Sequence, residues 1–285
     1  MDQEKVSVVV LGAGGMLGHV ACLYFLKRGY SLVASARSQT GISAIDARLV
    51  TLDLTNTKEL NDLLKRHPAA VVINCAAVKP DAPSGLQRLI NSELPRAIAA
   101  EIETRSGRLI QISTDGVFSG KRGSYSESDT PDASDTYGAA KLAGEVCDEP
   151  HLTIRTSIIG PELNTSSGLV EWLRRTNEAV HGYKNVFWSG VTTLELAKFL
   201  SFAIERNLSG LLHLSSERIS KYDLLIAINE SYGLNKTILE TDKPILDRSL
   251  ITARNIGYTT PSIKIMLTEL RAWELENAAL YSPRG

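Results

Sequence analysis

The stretch "VSVVVLGAGGMLGHVACLYFLKRG", Val6 to Gly29, decides how the rest of the chain is read. Its opening "VSVVVL" is β-branched and apolar on nearly every residue, as expected of a strand buried on both faces. A helical pattern follows over 16–28, and Gly12, Gly14, Gly15 and Gly18 fill the junction. A glycine at the strand end permits a tight turn, and a second lets backbone approach a pyrophosphate. A third lets helix and sheet pack closely, while the helix N-terminus offers amide donors and its dipole. Steric needs alone also put glycine after strands. The position of this turn in the first strand–helix unit is what points to a dinucleotide.

The pattern repeats outward from there. Apolar runs at 6–11, 31–36, 47–54, 69–77, 108–113 and 152–159 alternate with candidate helices at 16–28, 57–66, 85–104 and 137–148. Strand–helix alternation implies right-handed crossovers and a parallel sheet, so the expected fold is α/β, a Rossmann-type doubly wound sheet. After Gly160–Pro161 the character changes. Helical patterns at 166–179, 193–206, 220–232 and 261–275 surround one short apolar run, "GLLHLS" (210–215). This reads as residues 1–160 forming a dinucleotide-binding domain. Residues 161–285 then form a smaller, mostly helical substrate lobe, too poor in strands for its own sheet, with some segments returning to the first domain.

Composition narrows the function classes. The 285 residues carry a net charge of −1, with 43% hydrophobic and 22% charged residues, an ordinary globular balance. Neither nucleic acid nor an acidic membrane surface is an expected partner. Cys22, Cys75 and Cys147 are scattered, and the five histidines show no ligand spacing. A disulfide framework and a metal site are therefore not expected. "MDQEK" followed by a short apolar run is no signal segment, so a cytoplasmic location is the expectation.

Candidate chemistry gathers at predicted strand ends. The second strand closes on "ASARSQ", with Arg37 where an NAD site usually carries an acid for the ribose 2′-hydroxyl. An arginine there attracts a 2′-phosphate, which favours NADP(H) over NAD(H). Asp53, after the third strand, is placed to meet the adenine, or else to cap the helix that Thr55 and Asn56 also precede. "STDG", Ser113 to Gly116, leaves the fifth strand with two hydroxyls and a carboxylate together. "SDTYGAAKLAGE" sets Tyr137 and Lys141 four apart on one helix face. An ammonium beside a phenol lowers its pKa and readies it for proton exchange, while Thr114, with Ser113 next in line, can hold a carbonyl oxygen. Tyr232 and Lys236 repeat the spacing, but Gly233 between them reads as a helix end.

The spacing Gly12-x-x-Gly15-x-x-Gly18 resembles that of extended short-chain dehydrogenase/reductase proteins. With "NCAA" (74–77), "STDGVFSGKRGSYSESDTPDASDTYGAAKLAGE" (113–145) and "RTSIIGP" (155–161), the chain resembles the dTDP-4-dehydrorhamnose reductase family. The resemblance implies NADPH-dependent reduction of the C4 ketone of a nucleotide-linked 4-keto-6-deoxy sugar, for surface polysaccharide. It places the family's Thr–Tyr–Lys triad on Thr114, Tyr137 and Lys141. Cofactor contacts fall on Gly12, Gly15, Met16, Leu17, Gly18, Asp53, Leu54, Ala76 and Ala77. Asp115 matches a substrate-contacting carboxylate, Asn91 an asparagine that orders the proton-relay region, and Arg248 of "LDRSLI" an arginine reaching the sugar nucleotide. Gly116 departs from the aromatic usual after "STD", and it also removes the second acid that a 4,6-dehydratase needs. A 4-epimerase uses the same triad, and the NADP-binding β subunit of methionine adenosyltransferase resembles the same family without catalysing. A homodimer is compatible with the sequence, which does not decide oligomeric state.

Overall fold

The computed structural model describes residues 6–163 and 168–281. The "MDQEK" start lies outside them. The helix expected over 166–179 begins outside them too and is seen from Leu169 to Arg175.

Six expected strands form, as β1 (Ser7–Leu11), β2 (Ser31–Ala36), β3 (Leu49–Thr51), β4 (Val71–Asn74), β5 (Arg108–Thr114) and β6 (Leu152–Thr156). A seventh strand, Gly210–His213, joins them, and all run parallel in one sheet. The spatial order is Gly210–His213, β6, β5, β4, β1, β2, β3. Strand order reverses between β1 and β4, so a crevice opens where their carboxyl ends part.

Alternate residues of one strand feed two separate cores. Val8 and Val10 join the core on one face with Phe25, Phe199 and Leu267. Val9 and Leu11 join the other, with Leu60, Leu63, Leu64, Ile98 and Ile102. The helix Thr57–Arg66 shows why its face is chosen. Leu60, Leu63 and Leu64 recur at helical spacing, and Asn56 caps the start by accepting from the Glu59 amide at 3.3 Å. Asn56 thus takes the capping role for which Asp53 also competes in the sequence.

The expected helix at 85–104 is continuous from Ser84 to Glu103, but its turn at Arg88–Glu93 is wound wider, as a π-helix. Such bulges disturb the side-chain register locally. Asn91 sits in that turn, and its side chain bonds both backbone groups of Val78, at 3.0 and 3.1 Å.

The second half shares elements with the main sheet. "GLLHLS" is not a strand of the smaller lobe; Gly210–His213 is the outer strand of the main sheet, paired with β6. The helix Thr193–Glu205 also packs on the first helix, Met16–Lys27, through the shared core. The remaining lobe has short ladders that the sequence did not announce. One links Ile219–Ser220, Val186–Trp188 and Leu246–Asp247, and another links Val180–Tyr183 to Ile238–Thr241. Ribbons of two to four residues are too short to show a period.

A buried ion pair ties the sheet to the helix that follows β5. Arg155 of β6 grips Glu145 with two bonds, at 2.8 and 2.7 Å, and Ser113 of β5 donates to the same carboxylate at 2.7 Å. The two charged side chains are 4% and 6% exposed. Removing one partner strands the other in low dielectric, at a cost of about 3–5 kcal/mol. Arg155→Met is therefore expected to lower unfolding free energy by about that much in urea titration; a loss under about 1 kcal/mol, the value of a surface pair, would show the pair to be incidental.

Candidate functional site

The glycine turn packs without slack. Gly12 has φ +81°, and a Cβ there would stand 2.9 Å from the Ala76 nitrogen. A Cβ on Gly18 would collide with the Gly12 carbonyl oxygen. Both positions therefore need glycine, one for its left-handed backbone and one for close approach. Gly15 is the N-cap of the helix Met16–Lys27; no side chain caps this end and no acid lies in its first turn. The amide donors and positive dipole end are thus left for an anion. Gly14 has open space before it, with only the Ala36 methyl near, at 4.0 Å. These features fit a dinucleotide pyrophosphate.

A cavity of about 490 Å³ runs from this turn across the carboxyl ends of the central strands. It brings Gly15, Met16 and Leu17 together with Ala76, Ala77, Ser113, Thr114, Tyr137 and Lys141. Asn74 shapes the wall at "NCAA": its side chain donates to Gln111 at 2.8 Å and accepts from the Ala76 amide at 3.2 Å. Tyr137 and Lys141 stand on the helix Thr136–Ala143, capped by Asp135, which accepts from the Gly138 amide at 2.7 Å.

Lys141 is 4% exposed, and its Nζ donates to the Ile112 carbonyl at 2.7 Å. Burial pulls its pKa down to about 8, against the smaller opposing effect of Glu145. Tyr137 moves the other way, up to about 12, through burial and then the negative charges of Asp115 and Asp135. The lowering of the Tyr137 phenol expected from Lys141 is not what this geometry produces, because desolvation, with Asp115 and Asp135, raises it. Tyr137 is a protonated phenol at neutral pH.

Thr114 closes β5 and caps the short turn Asp115–Val117. Its Oγ1 accepts from the Gly116 amide at 3.0 Å and donates to Asp115 at 3.1 Å. Ser113 also lines the cavity, but its hydroxyl is committed to Glu145. Asp115 is desolvated and its carboxyl is pushed up, with the charges of Lys221 and Arg248 opposing. Arg248 reaches the same region from the second half of the chain. It bonds Asp135 at 3.3 Å, and its Nη1 is 3.8 Å from where a Gly116 Cβ would be. The space beside Gly116 thus borders a guanidinium.

Arg37 and Asp53 are exposed beyond the ends of β2 and β3, on the same sheet edge as the glycine turn. They lie outside the cavity but near each other, since Arg37 helps hold the Asp53 carboxyl low behind the two bonds from Thr55. Leu54 packs against the core on its side of the sheet. Asn91 is not among the lining residues; it acts on Val78 and so on the segment after β4.

Sequence reasoning missed Lys221, whose charge faces Asp115 and whose Nζ lies 5.2 Å from the Trp188 ring. It also missed Glu145 and Arg155. Only chain-distant packing brings these groups in, and no local spacing advertises them. The second Tyr–Lys pair is structural: Tyr232 donates to Glu274 at 2.5 Å, Lys236 to Thr176 at 2.6 Å, and Gly233 ends the helix at φ +61°. Among the described residues no cluster of three metal-binding side chains occurs, and no helix is long and apolar enough to cross a membrane.

A family model described as RmlD substrate binding domain matches residues 6–253. A probable low-salt glycan biosynthesis reductase of Haloferax volcanii is 28% identical over 92% of this chain and 96% of its own length. A dTDP-4-keto-6-deoxy-D-glucose reductase of Streptomyces niveus is 30% identical, covering 76% and 75%. Methionine adenosyltransferase 2 subunit beta of Bos taurus is 24% identical, covering 89% and 84%. The solved structure of a hypothetical dTDP-4-dehydrorhamnose reductase from Sulfolobus tokodaii superposes with TM-score 0.73 at 28% identity, covering 86% of this chain and 92% of that one. With the glycine turn, the threonine at the end of β5 and the tyrosine and lysine on the next helix disposed around one cavity, this chain belongs to the dTDP-4-dehydrorhamnose reductase family.

Proposed function

We propose that this protein is an NADPH-dependent reductase of the C4 ketone of a nucleotide-linked 4-keto-6-deoxy sugar, acting in the cytoplasm in surface polysaccharide synthesis. One observation carries the reading: Thr114, Tyr137 and Lys141 line the same cavity as the uncapped helix start at Gly15. The reductase names of several relatives support it. When bound, NADPH supplies the hydride that turns a carbonyl carbon into an alcohol.

The chain's own residues do the rest. The turn at Gly12, Gly15, Met16, Leu17 and Gly18 receives the pyrophosphate, Ala76 and Ala77 flank it, and Arg37 takes the 2′-phosphate beside Asp53 and Leu54. Thr114 and Tyr137 hold the C4 carbonyl oxygen. As charge develops there, the protonated Tyr137 gives up its phenolic proton, and the O–H bond of the product forms. Lys141 would hold the nicotinamide ribose, with Tyr137 beside the nicotinamide, and its ammonium would stabilise the phenolate left behind once the proton has gone. Asp115, Lys221 and Arg248 face the sugar nucleotide. Asn91 supports the segment after β4, and Ser113 acts through Glu145.

Tyr137→Phe is expected to leave NADPH affinity little changed and to cut kcat by about 10²–10⁴-fold. Turnover at the wild-type rate in a stopped assay with a dTDP-4-keto sugar would remove Tyr137 from the mechanism.

The pH profile separates the two titrating groups. Lys141 is charged below about 8 and neutral above it, whereas Tyr137 keeps its proton to about 12. Reductive kcat/KM is therefore expected to fall as pH rises through about 8, on loss of the ammonium. A profile that stays flat well above that point sinks the role given to Lys141.

Arg37→Ala is expected to raise KM for NADPH by about tenfold or more, the value of a lost charge-assisted contact, while KM for NADH stays put. An equal effect on both would assign Arg37 to the protein surface.

A second reading is favoured by the relative from Bos taurus: an NADP-binding regulatory subunit without turnover. It predicts NADPH binding with no stoichiometric NADPH consumption on any nucleotide sugar, and the same assay distinguishes a 4-epimerase, which consumes none while converting its substrate.

A further inference from the structure

His19 follows the last glycine of the turn, is fully buried, and carries two bonds that the catalytic reading leaves unused. Its Nδ1 lies 2.8 Å from the Gly15 carbonyl oxygen and its Nε2 lies 2.9 Å from the Tyr281 hydroxyl. A carbonyl only accepts, so Nδ1 holds the ring proton and donates. Nε2 is then the acceptor, and the Tyr281 O–H donates to it. Burial keeps the ring in this neutral form, holding its pKa down to about 4. Tyr281 also meets the imidazole edge to face, with ring centres 5.8 Å apart.

The consequence lies in one peptide plane. The ordinary helical bond from the His19 amide to Gly15 is stretched to 3.3 Å, so the imidazole makes the shorter contact to that carbonyl. The Gly15 C=O and the Met16 N–H belong to the same rigid peptide and point in opposite directions. A carbonyl held along the helix axis therefore aims the Met16 N–H out of the helix start, toward the cavity that Gly15 and Met16 line.

We propose that His19, locked in one tautomer by Tyr281, is a positioning residue that sets the peptide between Gly15 and Met16 for the cofactor's pyrophosphate. The proposal rests on the cofactor reading above. It also gives the last described helix, Ala278–Tyr281, a part in cofactor binding, although 262 residues separate Tyr281 from His19.

Three substitutions separate this role from plain core filling. Asparagine can place its amide nitrogen where Nδ1 stands, which keeps the Gly15 bond and loses Tyr281. Leucine fills the space and keeps neither bond. Tyr281→Phe removes only the lock.

NADPH affinity is read by fluorescence titration, with the thermal midpoint taken in parallel. His19→Asn is expected to bind NADPH within about threefold of wild type, and Tyr281→Phe about three- to fivefold more weakly. His19→Leu should bind about tenfold more weakly, with KM for NADPH raised and kcat unchanged. A buried space-filler gives the reverse order, with His19→Leu near wild type and His19→Asn impaired, and that result overturns the proposal. Should His19→Leu fail to fold, unchanged affinity in Tyr281→Phe overturns it instead. Wild-type protein that binds neither NADPH nor NADH defeats the cofactor reading itself, and the proposal with it.

Discussion

Glu145 and Arg155 meet behind the cleft as a buried, two-bond ion pair, and Ser113 completes the carboxylate's shell. Three segments converge there: the end of β5, the end of β6, and the chain leaving the helix that holds Tyr137 and Lys141. A charge pair at this depth is useful only with its geometry satisfied, because each ion is costly alone. That requirement fixes the distance between the helix and the two strands whose carboxyl ends frame the cavity. Glycine serves the same end on the helix's other side, since a Cβ on Gly144 would strike the Asn91 carbonyl.

Burial then does the chemical tuning. One desolvated environment acts on both titrating groups, and it moves them in opposite directions because their charged forms have opposite protonation states. The ammonium is pulled down toward neutrality and the phenol is pushed up. A protonated phenol beside an ammonium poised near its own pKa suits proton delivery to a developing alkoxide.

The second half of the chain reaches the same edge by a different route. Gly210–His213 extends the sheet, while Arg248 and Lys221 converge on Asp115 from separate segments. Gly116 leaves room between Thr114 and Arg248. This end of the cleft is thus built of charges across a gap, with the Trp188 ring beside Lys221.

Much of this was legible in order along the chain. Strand runs, helix periods and the turn from Gly12 to Gly18 are local, because each answers to backbone sterics and to which face of one element is apolar. The triad candidates were legible too: Tyr137 and Lys141 share a helix face by spacing, and Thr114 ends a strand. Local pattern does not carry what pairs across space. "GLLHLS" carried no mark saying which sheet it would join, and nothing near Glu145 announced Arg155. Lys221 looked like any lysine at a helix start. The direction of the Tyr137 shift was misjudged from spacing alone, since desolvation depends on everything that surrounds the phenol, and only the folded chain supplies those surroundings.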